Sequence, residues 1–145
     1  MKLAEVQVRY QSKTIGKEKI VSADKAHTLL LEHWNMNTFD LQEEFKVLLL
    51  NRSNFPLGIY TLSKGGNHGT IVDLKVLMAV LIKSIASGII LCHNHPSGSI
   101  KPSKEDERIT NQIHSACKMF NIVLLDHIII TRNSYYSFAD EGLLY

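Results

Sequence analysis

The stretch Gly88-Ile89-Ile90-Leu91-Cys92-His93-Asn94-His95-Pro96-Ser97-Gly98 decides how this chain is read. Its apolar half, Gly88 to Cys92, predicts a buried strand, because a short unbroken apolar run closed by turn residues suits a strand covered on both faces. Alternation along that strand puts His93 and His95 on one face and Asn94 on the other. Two imidazoles therefore emerge side by side where Pro96 and Gly98 end the strand. Cys92 falls on the opposite face and reads as a small buried hydrophobe.

Downstream, Pro102-Ser103 followed by Lys104-Glu105-Asp106-Glu107 predicts a helix start with Ser103 as N-cap and an acidic first turn. Residues three apart share a helix side, so Ser103 and Asp106 both face the histidine pair across the Pro-Ser-Gly turn. Ser-x-x-acid is also close to a capping box, a structural role compatible with a chemical one. His93, His95 and Asp106 are candidate metal ligands that leave a fourth position for water. That is the arrangement of catalytic zinc sites, where the metal lowers the pKa of its water to about 7. Two histidines and a carboxylate with an open position suit zinc, so Zn2+ is the expected cofactor.

Hydrolysis by such a site also needs a general base, because the water must lose a proton and the leaving nitrogen must gain one. Upstream, Glu43-Glu44 precede the run Phe45-Lys46-Val47-Leu48-Leu49-Leu50. In strand register Glu43 shares a face with Phe45, Val47 and Leu49, whereas Glu44 falls with Lys46 and is expected in solvent. Glu43 is the candidate base. His127, inside an apolar run from Ile122 to Ile130, has two readings, support behind the metal or a hydrogen-bonded strand histidine, and the second is expected. Asp126 points the other way and is expected to cap or pair locally. Ser63 to Gly69 is rich in glycine but lacks the spacing of a phosphate-binding loop and reads as a turn into a helix. Lys101, Lys104 and Arg108 lie near the site and read as solvated surface charge rather than as an anion trap.

Of the 145 residues, 45% are hydrophobic and 21% charged, which predicts an ordinary folded domain and implies no disorder. Sixteen basic and 14 acidic residues leave a net charge of +2, too small for the electrostatic footprint of a nucleic-acid binder. No run approaches the roughly 18 apolar residues of a membrane span, and Met1 to Val8 alternates instead of forming a signal-peptide core. With only two cysteines, Cys92 and Cys117, reduced thiols and a cytoplasmic location are expected.

Periodicity supplies the remaining elements. Strands are predicted over Leu3 to Tyr10, Glu43 to Asn51, Pro56 to Ser63, Ile122 to Thr131 and Tyr135 to Phe138, with an antiparallel hairpin about Arg52-Ser53-Asn54. A turn is expected at Thr14 to Lys17. Helices are predicted from Ala23 to Trp34, starting at Ser22, within Val72 to Ala86, and from Lys104 to Phe120. The expected buried stripes are Val76, Leu77 or Met78, Leu81 and Ile85 on one helix, and Ile109, Ile113, Ala116 and Phe120 on the other. The fold class is α/β, a layered sandwich with a mixed β-sheet flanked by helices. One domain is expected over residues 1–145, with 1–40 as an N-terminal strand-helix extension, 35–41 as its connection, and 41–145 as the metal-site core.

A Glu on an early strand, then His93-x-His95, seven residues, Ser103, two residues and Asp106, resembles the JAMM signature of MPN-fold metalloproteases. Glu43 to Asn51, His93 to Gly98, Pro102-Ser103-x-x-Asp106 and Leu124 to Ile130 together resemble the RadC-like JAB domain, from about Leu41 onward. The resemblance implies an MPN/JAB, cytidine deaminase-like fold and zinc ligands at His93, His95 and Asp106. It further implies general acid/base work at Glu43, with Ser103 steadying the tetrahedral intermediate. The activity implied is peptidase or isopeptidase, with a peptide or protein substrate. RadC-like chains often carry a helix-hairpin-helix segment associated with DNA, and the first 40 residues show no such pattern, so nucleic acid is weakly supported as a partner. The rival reading is a DNA-repair-associated or mobile-element accessory protein that binds DNA or protein without proteolysis; a third is an interaction module stapled by zinc.

Overall fold

The apolar run that opens the motif forms a strand buried along its whole length, β3 (Gly88–Asn94). It lies at the centre of a five-stranded sheet in the computed structural model, which describes residues 1–11, 16–65 and 71–144. The other strands are β1 (Glu44–Leu50), β2 (Pro56–Lys64), β4 (Val123–Ile130) and β5 (Tyr135–Ser137), in the order β2-β1-β3-β4-β5. Strands β1 and β2 form the expected antiparallel hairpin, β1 also pairs antiparallel with β3, and β4 with β5. Only β3 and β4 run parallel. Parallel neighbours need a crossover connection, and α3 (Lys104–Met119) supplies it. The molecule is therefore an α/β sandwich with a mixed sheet, in agreement with the sequence and with an MPN/JAB-like fold.

Strand parity sorts the side chains onto two apolar layers. Phe45, Val47 and Leu49 of β1 and Ile89 and Leu91 of β3 face α3 and α2 (Leu74–Lys83), meeting Leu77, Leu81, Ile109, Ile113 and Cys117. Leu48, Leu50, Ile90, Cys92, Ile128 and Ile130 face the other way, onto Ala26 and Leu30 of α1 (Ala23–Glu32), with Trp34 and Phe39 just beyond it. Each fully buried Leu or Ile contributes about 1.5–3 kcal/mol by leaving water, so both layers are needed to hold β3 covered on its two faces.

Helix caps agree with sequence chemistry. Ser22 caps α1 by accepting from Lys25 N at 3.2 Å, and Asp73 caps α2 by accepting from Val76 N at 3.1 Å. The stripes differ in detail from expectation. On α2 the buried pair is Leu77 and Leu81, while Val76 is exposed and Ile85 lies beyond the C-cap at a positive φ of 53° with its side chain in solvent. On α3 the buried line is Ile109, Ile113 and Cys117, spaced four apart, and Phe120 sits past the helix end, exposed. In both cases the apolar residue after the helix left the stripe because the helix stopped one or two residues earlier than the pattern.

The strand expected over Leu3 to Tyr10 does not form. That segment has no ladder partner among the described residues, and Leu3, Val6 and Val8 are exposed. Alternation alone does not make a strand; a neighbouring edge must take up its backbone groups. The expected turn at Thr14 to Lys17 and the glycine-rich stretch Ser63 to Gly69 both fall partly outside the described residues. No described helix is long and apolar enough to cross a membrane.

Candidate metal centre

Odd-numbered positions of β3 face α3, so the strand delivers His93 and His95 to the same side as the start of that helix. His95 extends the parallel pairing past the strand end, its N–H donating to Ile130 O at 3.0 Å. Pro96 then ends the ladder. The turn closes with Gly98 N donating to His95 O at 3.0 Å, and Gly98 adopts φ 82°, a conformation in which any side chain is strained. The chain thereby doubles back and puts Ser99 O 2.6 Å from His95 Nδ1.

Helix α3 starts in a complete capping box: Ser103 Oγ accepts from Asp106 N at 3.0 Å, and Asp106 Oδ2 accepts from Ser103 N at 2.8 Å. The short Asp side chain serves both the cap and the site. Its oxygens lie 3.3 Å from His93 Nε2 and 3.4 Å from His95 Nε2, and the two Nε2 atoms are 2.9 Å apart. Glu43, half-buried just before β1, completes the group: one ligand atom from each of Glu43, His93, His95 and Asp106 lies within 4.8 Å of the others. All four sequence candidates for metal and base thus come together, and Ser103 adjoins them through the cap.

Charge follows from this crowding. Burial pushes the Glu43 carboxyl above its ordinary value, the Asp106 charge adds to that, and His93 and His95 pull it partly back. Burial opposes a charged His95, but its contacts with Asp106 and Ser99 O outweigh burial and raise its pKa. Asp106 likewise resists its burial because both imidazoles face it, and its carboxyl is held far below the usual range. Two imidazole nitrogens at 2.9 Å with a carboxylate beside them need a proton or a cation between them. This donor set fits a metal ion.

Glu44 corrects an expectation. It is only 2% exposed, because the face it shares with Lys46 is covered by α1 and Trp34. Lys46 Nζ and Lys64 Nζ lie 3.3 and 3.2 Å from its oxygens, without a well-aligned hydrogen bond, and Lys46 Nζ also sits 4.9 Å over the Trp34 ring and donates to Thr61 at 2.8 Å. Asn94, between the two histidines, points to this same face. Its side chain accepts from Glu44 N at 2.7 Å and donates to Phe39 O and Gln42 O at 2.8 and 3.0 Å, tying down the segment that carries Glu43.

His127 departs from the expected reading in its partner. It is a hydrogen-bonded strand histidine, but the bond is to the site: its Nε2 lies 2.8 Å from His93 Nδ1, and its Nδ1 lies 2.6 Å from Thr110 Oγ1. Thr110 carries a sequence signal of its own, since four residues after Asp106 it stands on the same side of α3. Asn94 and Ser99 O carry none, because their work depends on loops folding back. Asp126 pairs locally as expected, accepting from Ser137 Oγ, Ala139 N and His127 N, and Cys92 is buried with its thiol pushed well up by burial.

Comparison with known proteins agrees with this geometry. The family model for the RadC-like JAB domain matches residues 20–143. A UPF0758 protein of Flavobacterium johnsoniae is 50% identical over 101 residues, 70% of this chain and 44% of that protein. One from Porphyromonas gingivalis is 44% identical over 104 residues, 71% of this chain and 46% of its own. Another, from Clostridium acetobutylicum, is 38% identical over 143 residues, 98% of this chain and 61% of its own. The chain spans about half the length of the curated relatives it matches. With the motif, the mixed sheet and the family match on the same residues, this chain belongs to the RadC-like JAB domain family.

Proposed function

We propose that this chain is a zinc-dependent hydrolase of amide bonds, a metallopeptidase or isopeptidase whose substrate is a peptide or protein. The observation that supports it most is the convergence of His93, His95 and Asp106 beside the half-buried carboxylate of Glu43. His93, His95 and Asp106 would hold the zinc ion, two imidazole nitrogens and a carboxylate being a donor set that suits it. Asp106 Oδ1 lies 3.3 Å from His93 Nε2 and Oδ2 lies 3.4 Å from His95 Nε2, so the carboxylate faces both imidazoles, which stand 2.9 Å apart. When bound, zinc would polarise the scissile carbonyl and acidify a water.

Glu43 then takes the proton of the water and returns it to the leaving nitrogen, and its raised pKa suits a group that must both accept and release. Ser103 Oγ spends a lone pair on the Asp106 N–H and keeps its hydroxyl hydrogen to donate to the carbonyl oxygen as negative charge develops there. The buried free thiols of Cys92 and Cys117 support a reducing, cytoplasmic setting.

Elemental analysis after purification is expected to find near-stoichiometric zinc in the wild type and in Glu43→Gln, and none in His95→Ala. On a library of peptide and isopeptide substrates Glu43→Gln should lose at least about 10²-fold in turnover. No metal even after reconstitution with zinc would remove the basis of the proposal, and unchanged hydrolysis by Glu43→Gln would remove the base.

A further inference from the structure

A run of short polar contacts leads from the backbone of α3 to the ring of His93. Thr110 Oγ1 lies 2.6 Å from Asp106 O and 2.6 Å from His127 Nδ1, and His127 Nε2 lies 2.8 Å from His93 Nδ1. Each contact this short holds one hydrogen, since two facing lone pairs repel. A carbonyl oxygen brings no hydrogen, so the Thr110 hydroxyl donates its single one to Asp106 O. The hydrogen between Thr110 and His127 therefore belongs to His127 Nδ1.

His127 is fully buried, and its nitrogens meet a hydroxyl and an imidazole, not a carboxylate, so the ring stays neutral and Nε2 is bare. The hydrogen between the two rings then sits on His93 Nδ1. This leaves the lone pair of His93 Nε2 facing His95 and Asp106. His95 carries a proton on Nδ1 by a separate route, because that atom faces Ser99 O, which only accepts, and the 2.9 Å contact between the two Nε2 atoms is then filled by a cation or, without one, by a proton on His95 Nε2. Stacking holds the relay in place: Phe45 lies nearly parallel to His93 with centroids 5.7 Å apart, and Phe138 stacks on His127 at 4.7 Å.

We infer that His127, ordered by Thr110, is a positioning residue that fixes the His93 proton on Nδ1 and so presents Nε2 to a divalent cation; the inference rests on the metal reading above. Partners of this kind are worth about 10–100-fold in metal affinity. The two arms of the site are thereby set independently, His95 by a turn carbonyl and His93 by a side-chain relay anchored in the helix that carries Asp106.

The test combines nitrogen NMR of the metal-free, 15N-labelled chain with zinc titration of the wild type, His127→Phe, His127→Gln and Thr110→Val. In the wild type the proton should reside on His93 Nδ1, with scalar coupling across the hydrogen bond to a bare His127 Nε2. His127→Phe keeps the stacking but offers no acceptor, and its zinc Kd should rise about 10–100-fold. His127→Gln, whose amide oxygen can accept the same proton, should recover most of that loss, and Thr110→Val should show a smaller loss. Recovery by Gln distinguishes the relay from general loss of packing.

A proton found on His127 Nε2 overturns the inference even if no variant folds. Folded His127→Phe and Thr110→Val chains that bind zinc as the wild type does overturn it as well. If the wild type itself takes up no metal, the metal reading fails and the inference with it; equal binding by wild type and variants defeats the relay alone.

Discussion

At the scale of single residues, two adjacent glutamates have opposite fates that their side-chain chemistry does not distinguish. Glu43 meets the histidines and Asp106, whereas Glu44 is buried against Lys46 and Lys64 on the other face. Because burial raises the Glu43 pKa, its carbon NMR titration in the metal-free chain should have a midpoint above the ordinary 4.5, so that the carboxylate is lost earlier as pH falls. Adding zinc should move that midpoint down, since a cation favours the charged form. For Glu44, removing one partner of a buried pair leaves the other charge uncompensated, so Glu44→Ala should cost roughly 3 kcal/mol in urea denaturation. A loss within 0.5 kcal/mol would mean that Lys46 finds sufficient compensation at Thr61 and Trp34. Strand parity told the two glutamates apart in direction. It did not reveal that both directions lead inward, because periodicity does not show that α1 and Trp34 fold back over that face of β1.

At the scale of elements, the site is a junction between the end of β3, the start of α3 and the entry to β1. The first two were readable from sequence: the apolar run, the Pro-Ser-Gly turn and the Ser103 cap are local chemistry and form where expected. The third is held by Asn94, which bonds three backbone groups of residues 39–44 from fifty or more residues away. Replacing it by Ala leaves buried groups unsatisfied at about 1–3 kcal/mol each. Asn94→Ala should therefore lower the unfolding free energy measurably, keep zinc in the folded fraction, and reduce turnover by misplacing Glu43. Full turnover with lowered stability would show that the entry to β1 holds its path without Asn94.

At the scale of the whole molecule, stability and the site share one buried histidine. Burial holds the His127 pKa well below 6.5, so the unfolded chain binds a proton there that the folded chain refuses. The linkage sign follows: His127 costs nothing above pH 6.5, and stability falls as pH drops below it, by up to about 1.4 kcal/mol per pH unit. Urea midpoints of metal-free wild type and His127→Gln between pH 7.5 and 5 should diverge in that direction, and parallel curves would refute it. By itself the sequence determined the helices, four strands around the motif, the histidine pair, Asp106 and its cap, since each depends on residues within a turn or two of one another. Only the tertiary structure decided that Leu3 to Tyr10 finds no strand partner among the described residues, that Glu44 is covered, and that His127 and Thr110 stand behind His93. Those outcomes depend on which distant surfaces meet, and a periodic pattern names the face a residue occupies without naming what comes to cover it.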